Sequence, residues 1–138
     1  MKAVVQEEVT GCGIAACAAI ADISYVKAKN IANNLGIYTD DPSLWSNSTS
    51  ILKLLTQLGS QVGKHEIQFS DWGSLPDCAL LAIKWHLKDG KPFWHWVVFV
   101  RDGTKSYILD SNKSLKTNVR TDFGRIKPKW YIEVGSSI

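Results

Sequence analysis

Apolar residues in the first half of the chain recur at helical spacing. Residues 11–22 are apolar on every side, which predicts a helix buried in the middle of a domain, with Thr10 as its N-cap. A second helix is predicted between Ser24, as the cap, and Gly36, as the terminator. A third helix is predicted from apolar residues three and four positions apart that end at Gly59: Ile51, Leu54, Leu55 and Leu58.

The second half of the chain has the pattern of β-strands. Apolar runs predict strands at 78–87 and 93–100, followed by strands at 105–110 and 129–134. Helices that come first and strands that come afterwards predict an α+β fold, with N-terminal helices packed on an antiparallel β-sheet. Because the chain has 138 residues and no repeat or linker, we expect a single domain, residues 1–138.

Composition and charge exclude several classes of protein. The chain is 45% hydrophobic and 21% charged, which is typical of globular rather than disordered proteins. No apolar run approaches the roughly 18 residues of a membrane span, and Glu7 and Glu8 stand where a signal peptide has its apolar core, so we expect a cytoplasmic protein. The net charge is +3, and we expect the basic residues near the C-terminus to be solvated surface, with no nucleic-acid binding. These residues are Lys113, Lys116, Arg120, Arg125, Lys127 and Lys129.

The spacing of the three cysteines does not suit a metal site. Cys12 and Cys17 lie in one predicted helix, Cys78 stands alone, and the sequence has neither Cys-x-x-Cys nor His-x-x-x-His. We therefore predict no metal and no cofactor. Cys17, among alanines, and Cys78, at the start of an apolar strand, are expected to be core residues.

Cys12 differs because it lies at the mouth of the buried helix, between Gly11 and Gly13. The first turn of a helix presents unpaired N–H groups and the positive end of the helix dipole, which favour the nucleophilic thiolate. Flanking glycines are expected to leave the backbone open to a substrate. On position alone, a nucleophile and a buried cysteine without a role are equally good interpretations.

A cysteine nucleophile needs a base, and His95 in the most apolar strand is the best candidate. The dipeptide Asp102-Gly103 favours a two-residue type I′ turn, which would place His95 directly opposite Asp110, with their Cβ atoms about 4.5–5.5 Å apart. Asn112 would face residue 93, and a bulge near Ser111 would exchange it with Asp110. We predict that Asp110 orients the imidazole, with Asn112 as the alternative, although a buried His–Asp pair also suits a purely structural role.

The two remaining histidines, His65 and His86, have no comparable acidic partner and are expected at the surface or at a sheet edge. Acyl transfer by a thiolate also needs donors for the developing oxyanion. The backbone N–H of Cys12 is one candidate. The side-chain amide of Gln6, six residues earlier, is the second.

Gln6, Cys12-Gly13, His95 and Asp110, in this order, resemble the papain-like cysteine peptidases. The closest match is the bacteriocin-processing (double-glycine leader) peptidase family. The resemblance covers nearly the whole chain and extends to the His-Trp-Val-Val and Tyr-Ile-Leu-Asp strands. It implies a papain-like fold with Cys12 as nucleophile, His95 as general base and then acid, Asp110 as the orienting residue, and Gln6 as oxyanion donor.

The resemblance also implies the partners. We expect a standalone cysteine peptidase acting on a peptide or protein, with a Gly-Gly leader peptide as a candidate substrate and a separate exporter as a candidate partner. The chain departs from the family in having Gly11 where an Asp is common, and Asp110-Ser111 where Asp-Pro is common. Two alternatives remain open: a non-catalytic module that binds peptides, and a deamidase or transglutaminase-type acyl transferase with the same triad.

Overall fold

The computed structural model describes residues 1–135. Within this range, three α-helices come first: α1 at Cys12–Ala21, α2 at Tyr25–Asn34 and α3 at Thr49–Gln57. The strands follow: β1 at Gln61–Val62, β2 at Ile67–Gln68, β3 at Cys78–Lys88, β4 at Lys91–Asp102, β5 at Lys105–Leu109, β6 at Val119–Arg120 and β7 at Trp130–Gly135. Short 3-10 turns lie at Pro42–Trp45, Trp72–Ser74 and Phe123–Arg125. The predicted order of helices and then strands is confirmed.

Local sequence explains how the first two helices begin. The Ser24 hydroxyl accepts a hydrogen bond from the Lys27 N–H at 3.1 Å, so the predicted cap of α2 is confirmed. The prediction of Thr10 as the cap of α1 is wrong. Gly11 occupies that position without a side-chain cap, because a tight turn, in which the Gly11 N–H donates to the Glu8 carbonyl at 3.0 Å, leads directly into the helix.

The strands form an antiparallel sheet in the order β1-β7-β3-β4-β5-β6, with β2 also paired to β7. The long strands β3 and β4 form its centre. Helix α1 packs on β4, and α2 and α3 pack on α1. The architecture is therefore α+β, as predicted, with the helices stacked on one face of the sheet. Within residues 1–135, no helix is both long and apolar enough to cross a bilayer.

The sheet is buried on both faces, which explains the continuous apolar runs in β3 and β4. Alternate residues of β4, such as Trp96 and Val98, pack with the helices in one core. The intervening residues, such as Val97 and Phe99, lie in a second core, where aromatic side chains of the connecting segments, including Trp72, cover the opposite face. The catalytic candidate His95 lies two residues before Val97 and therefore on the same face of β4 as this second set.

The β4–β5 hairpin does not have the predicted register. Asp102 pairs with Lys105 and Phe99 with Ile108, so the loop residues are Gly103 and Thr104 rather than Asp102 and Gly103. Gly103 has a φ of +62°, and a two-residue turn with glycine in the first central position is as favourable as the type I′ turn that was predicted. The pairing is displaced by two residues. Because side chains alternate with a period of two, the displacement keeps every residue on its predicted face.

Candidate active site

Cys12 is the first residue of the buried helix α1, and only 5% of its surface is exposed. As the first helical residue, its N–H has no intrahelical acceptor. The adjoining glycines do not open the backbone as expected, because both are themselves buried. A Cβ on Gly11 would overlap the Tyr25 hydroxyl, and one on Gly13 would lie 2.5 Å from Ile51 Cδ1. These positions require glycine because neighbouring side chains fill the space.

His95 and Asp110 meet in the structure despite the displaced register. Nε2 of His95 lies 2.8 Å from Oδ1 of Asp110, and since a carboxylate can only accept, the imidazole donates from Nε2. The contact is diagonal. When the β4–β5 register is continued by one residue, Asp110 lies opposite Val97 rather than opposite His95. Nδ1 is then left for Cys12, whose side chain lies close enough to the imidazole to raise its pKa. The sequence-predicted Cys12, His95 and Asp110 are therefore brought together.

The protonation of this pair follows from its surroundings. Burial alone would lower the pKa of the His95 imidazole, but the hydrogen bond to Asp110 and the neighbouring Cys12 thiol, with the charges of both groups, outweigh burial and raise the pKa from 6.5 to about 9. Burial would likewise raise the pKa of the Asp110 carboxyl. Hydrogen bonds from His95, the Asn112 N–H and Arg120 instead hold it at about 2. The arrangement favours an imidazolium beside a carboxylate at neutral pH.

Arg120 is a site residue that sequence reasoning missed, since it was expected to be solvated surface. Its Nη1 donates to Oδ2 of Asp110 at 3.0 Å, and its Nε and Nη2 donate to Asp122 at 2.9 and 2.7 Å. The side chain is only 17% exposed. Arg120 reaches Asp110 because β6 pairs Arg120 with Ile108, two residues before Asp110 on the same face of the sheet. The sequence between residues 110 and 118 contains no turn motif from which the pairing of β5 with β6 could be predicted.

Asn112 does not contact His95 through its side chain. Its Oδ1 accepts from the N–H and hydroxyl of Ser114, while its own backbone N–H donates to Oδ1 of Asp110 at 3.1 Å. The Asn118 amide bonds the carbonyls of Asp110 and Asn112 at 2.7 and 3.0 Å, which holds the loop after β5. Of the two candidate partners of the imidazole, Asp110 is therefore the one that bonds it.

Gln6 is buried beside this loop and links it to the segment before Cys12. Its Oε1 accepts from the Ser111 hydroxyl at 2.7 Å, and its backbone N–H donates to the Ser111 carbonyl at 3.0 Å. Nε2 donates to the carbonyls of Glu8 and Val9 at 2.9 and 2.8 Å. Both amide hydrogens of Gln6 are therefore engaged by the turn that leads to Gly11. Ser111, which follows Asp110, therefore supplies the partner of Oε1.

The segment before Cys12 is also tied to α2. The Tyr25 hydroxyl donates to Glu8 Oε2 at 2.8 Å, and Lys29 Nζ lies 2.7 Å from Glu8 Oε1. Tyr25 thus fills the space that a side chain at Gly11 would need, which gives a physical reason for glycine at this position. We name residues 6–11 the entry loop, because they lead the chain into α1 and bond both α2 and the loop after β5.

The other cysteines and histidines lie away from this arrangement. Cys17 is fully buried, and burial raises the pKa of its thiol far above the ordinary value. Burial also raises the pKa of the Cys78 thiol, to about 11. His65 and His86 are exposed, as predicted. Among residues 1–135, no group of three or more His, Cys, Asp or Glu side chains could hold a metal ion.

Two solved structures share this fold. The chain is similar to a double glycine motif protease from an AMS/PCAT transporter, in complex with the leader peptide, with a TM-score of 0.63 and 18% identity over 96% of this chain and 89% of that one. It is also similar to the peptidase domain of Streptococcus ComA, a bi-functional ABC transporter involved in quorum sensing, with a TM-score of 0.62 and 17% identity over 96% of both chains. No protein-family model matches the sequence, and no curated protein matches it. The predicted resemblance to double-glycine peptidase domains is confirmed at the level of the fold.

Proposed function

We propose that this chain is a cysteine peptidase that cleaves a peptide substrate through a thioester of Cys12. The observation that carries the proposal is the contact of Cys12, at the start of a buried helix, with an imidazole that is bonded on its other side to a buried carboxylate. A thiol, a base and an orienting group in series are the requirements of nucleophilic catalysis. The fold shared with two peptidase domains supports the same proposal.

In the proposed first step, the Cys12 thiolate attacks the carbonyl carbon of the scissile bond. The negative charge that develops on the carbonyl oxygen is stabilised by the Cys12 N–H, which has no intrahelical acceptor, and by Gln6. Because both amide hydrogens of Gln6 bond backbone carbonyls, one of those bonds must be exchanged for the substrate oxygen. The His95 imidazolium gives its Nδ1 proton to the leaving amine, and the thioester remains on Cys12.

In the second step, water hydrolyses the thioester. His95, now neutral, takes a proton from the water while the water oxygen adds to the carbonyl carbon of the thioester. The carbon–sulfur bond then breaks, which releases the carboxylic acid product and returns Cys12 as the thiolate. Asp110 holds the tautomer with hydrogen on Nε2 and stabilises the imidazolium in both steps. Arg120 holds the second oxygen of that carboxylate.

The substrate class is proposed by similarity. One of the two solved structures is described as bound to a leader peptide, and we propose that this chain cleaves after the double glycine of a comparable leader. The residues at the C-terminal end of such a leader must reach Cys12, a residue that is only 5% exposed. A substrate without side chains at the cleavage site suits this restricted access.

The test is cleavage of synthetic peptides with a central Gly-Gly, followed by mass spectrometry of the products. Wild-type protein is expected to release two fragments and to form a covalent adduct with a thiol-reactive peptide probe. Cys12→Ser should abolish both, and Cys78→Ser, a matched change at a half-buried thiol outside the site, should leave both unchanged. Release of ammonia without fragments would instead indicate a deamidase, and binding without any covalent adduct would indicate a non-catalytic module.

A further inference from the structure

A cleft of about 560 Å³ lies next to the His95–Asp110 pair and is lined by cations. We name it the basic cleft, defined by Trp85 and the cationic residues Lys84, Arg120, Arg125, Lys127 and Lys129. None of the described residues that line it carries a carboxylate. Two of its walls touch the proposed active site directly. Arg120 bonds Asp110, and Ile83, also in its wall, is paired with His95 across β3 and β4.

The wall formed by β3 is shaped by a β-bulge. The pairing runs from Ile83 opposite His95 to His86 opposite Phe93, so that Lys84 and Trp85 share the space of a single residue of β4. Lys84 has a φ of +54°, in the left-handed region that residues with a side chain rarely adopt. Bulges are over-represented beside active sites, where they redirect a side chain. This bulge places Lys84 in the wall of the cleft, immediately after the residue that faces His95.

The positive charge of the cleft is largely uncompensated. Arg120 is paired with two carboxylates, and Arg125 lies close enough to Asp122 to lower its pKa. Lys84, Lys127 and Lys129 form no ion pair within residues 1–135. Cationic groups gathered in a concave wall attract anions more strongly than the same groups spread over a convex surface. The cleft is therefore built to receive carboxylates or another anion.

We propose that the basic cleft binds acidic side chains of the peptide substrate, which gives the peptidase a preference for Asp or Glu near the scissile bond. This proposal rests on the proposed function for the identity of the ligand as a peptide. A nucleic acid is disfavoured by the aromatic residue in the cleft. Lys129 Nζ lies 4.7 Å from the centre of the Trp85 ring and covers one of its two faces, which reduces the aromatic surface on which a base could stack.

The test measures binding separately from cleavage. The full chain carrying Cys12→Ala is titrated into short labelled peptides that differ only in Glu against Gln on either side of a Gly-Gly pair, with fluorescence anisotropy as the readout. We expect tighter binding of the Glu peptide, weakened by added salt because the Debye length shrinks to about 3 Å at 1 M. The triple variant Lys84→Gln, Lys127→Gln, Lys129→Gln should bind the Glu peptide about tenfold more weakly.

The matched control is Lys53→Gln, Lys64→Gln, Lys105→Gln, which removes the same charge from exposed positions outside the cleft. It should keep the preference for Glu. An equal loss in the control, no preference in the unsubstituted cleft, or tighter binding of a short single-stranded oligonucleotide than of the Glu peptide would each overturn the proposal. Because the binding protein lacks the Cys12 thiol, these outcomes do not depend on peptidase activity, whereas failure to cleave any Gly-Gly peptide would count against the proposed function alone.

Discussion

Replacing Asp110 with Asn should lower the pH at which His95 titrates by about two units. In the wild-type protein the pKa of His95 is raised from 6.5 to about 9 against the opposing effect of burial, and the Asp110 carboxylate is the first of the groups that raise it. A shift of this size corresponds to about 3 kcal/mol in favour of the imidazolium. Asn keeps the shape of Asp but carries no charge. Burial, opposed by Cys12 alone, then returns the pKa to near or below its ordinary value.

The same shift predicts how stability depends on pH. A group whose pKa is higher in the folded protein contributes its full stabilisation below its unfolded value, here 6.5, and loses it as the pH rises through the folded value of about 9. The free energy of unfolding of the wild-type protein should therefore fall by up to about 3 kcal/mol over this interval. In the Asp110→Asn variant the fall should nearly vanish.

Both quantities can be measured directly. The titration is followed by NMR of labelled imidazoles, with His65 and His86 assigned by substitution, and the unfolding free energy by urea denaturation at several pH values. Arg120→Gln should have the opposite effect. Because it removes a nearby cation, the pH midpoint of the His95 titration should rise. Within residues 1–135 the Asn112 side chain bonds only Ser114, so Asn112→Ala should change neither result. A midpoint that stays near 9 in Asp110→Asn would refute the assignment of the shift to the carboxylate.

Three further predictions concern the start of α1. Cys12 should react with iodoacetamide at mildly acidic pH while the other two cysteines of the native protein stay protected by burial, as read by peptide mass mapping; equal labelling of all three would contradict its assignment as the nucleophile. Gln6→Ala should lower kcat on a confirmed peptide substrate by roughly 10²–10³-fold, and an unchanged kcat would remove Gln6 from the oxyanion site. Gly11→Ala should destabilise the protein by about 1–3 kcal/mol in urea unfolding, and Tyr25→Phe in the same chain should recover part of the loss because it removes the oxygen that the new Cβ would meet. A Gly11→Ala protein of wild-type stability would show that the entry loop is looser than its contacts indicate.

The contact between His95 and Asp110 could be predicted from sequence although the register that led to it was wrong. Asp102-Gly103 and Gly103-Thr104 are both plausible two-residue turns, and a choice between them displaces the pairing by two. A displacement of two keeps every side chain on the same face of the sheet. The His95 side chain is long enough to reach the Asp110 carboxylate across the diagonal between the two strands. A displacement of one would have separated the pair.

Arg120 and the environment of Gln6 were beyond sequence reasoning for a different reason. Arg120 meets Asp110 only because β6 pairs with β5 after a loop held by Asn118, and nothing in that loop fixes its length as a hairpin turn would. Gln6 was predicted from the motif, but its bonds go to backbone carbonyls and to a hydroxyl, groups whose positions depend on the completed fold. Gly11 and Gly13 were expected to leave the backbone open. They are buried instead because Tyr25 and Ile51, which are distant in sequence, pack against them.

The bond between Gln6 and Ser111 joins residues that are 105 positions apart, and it has a consequence for the order of folding. Such a contact has a high contact order, so it forms only after a long loop has closed, and loop closure slows the search for it. During synthesis, the helix that carries the thiol emerges well before the strands that supply the imidazole, the carboxylate and the arginine. Chains truncated before β4 therefore carry Cys12 without His95, and the proposed chemistry becomes possible only after β4, Asp110 and Arg120 have been synthesised.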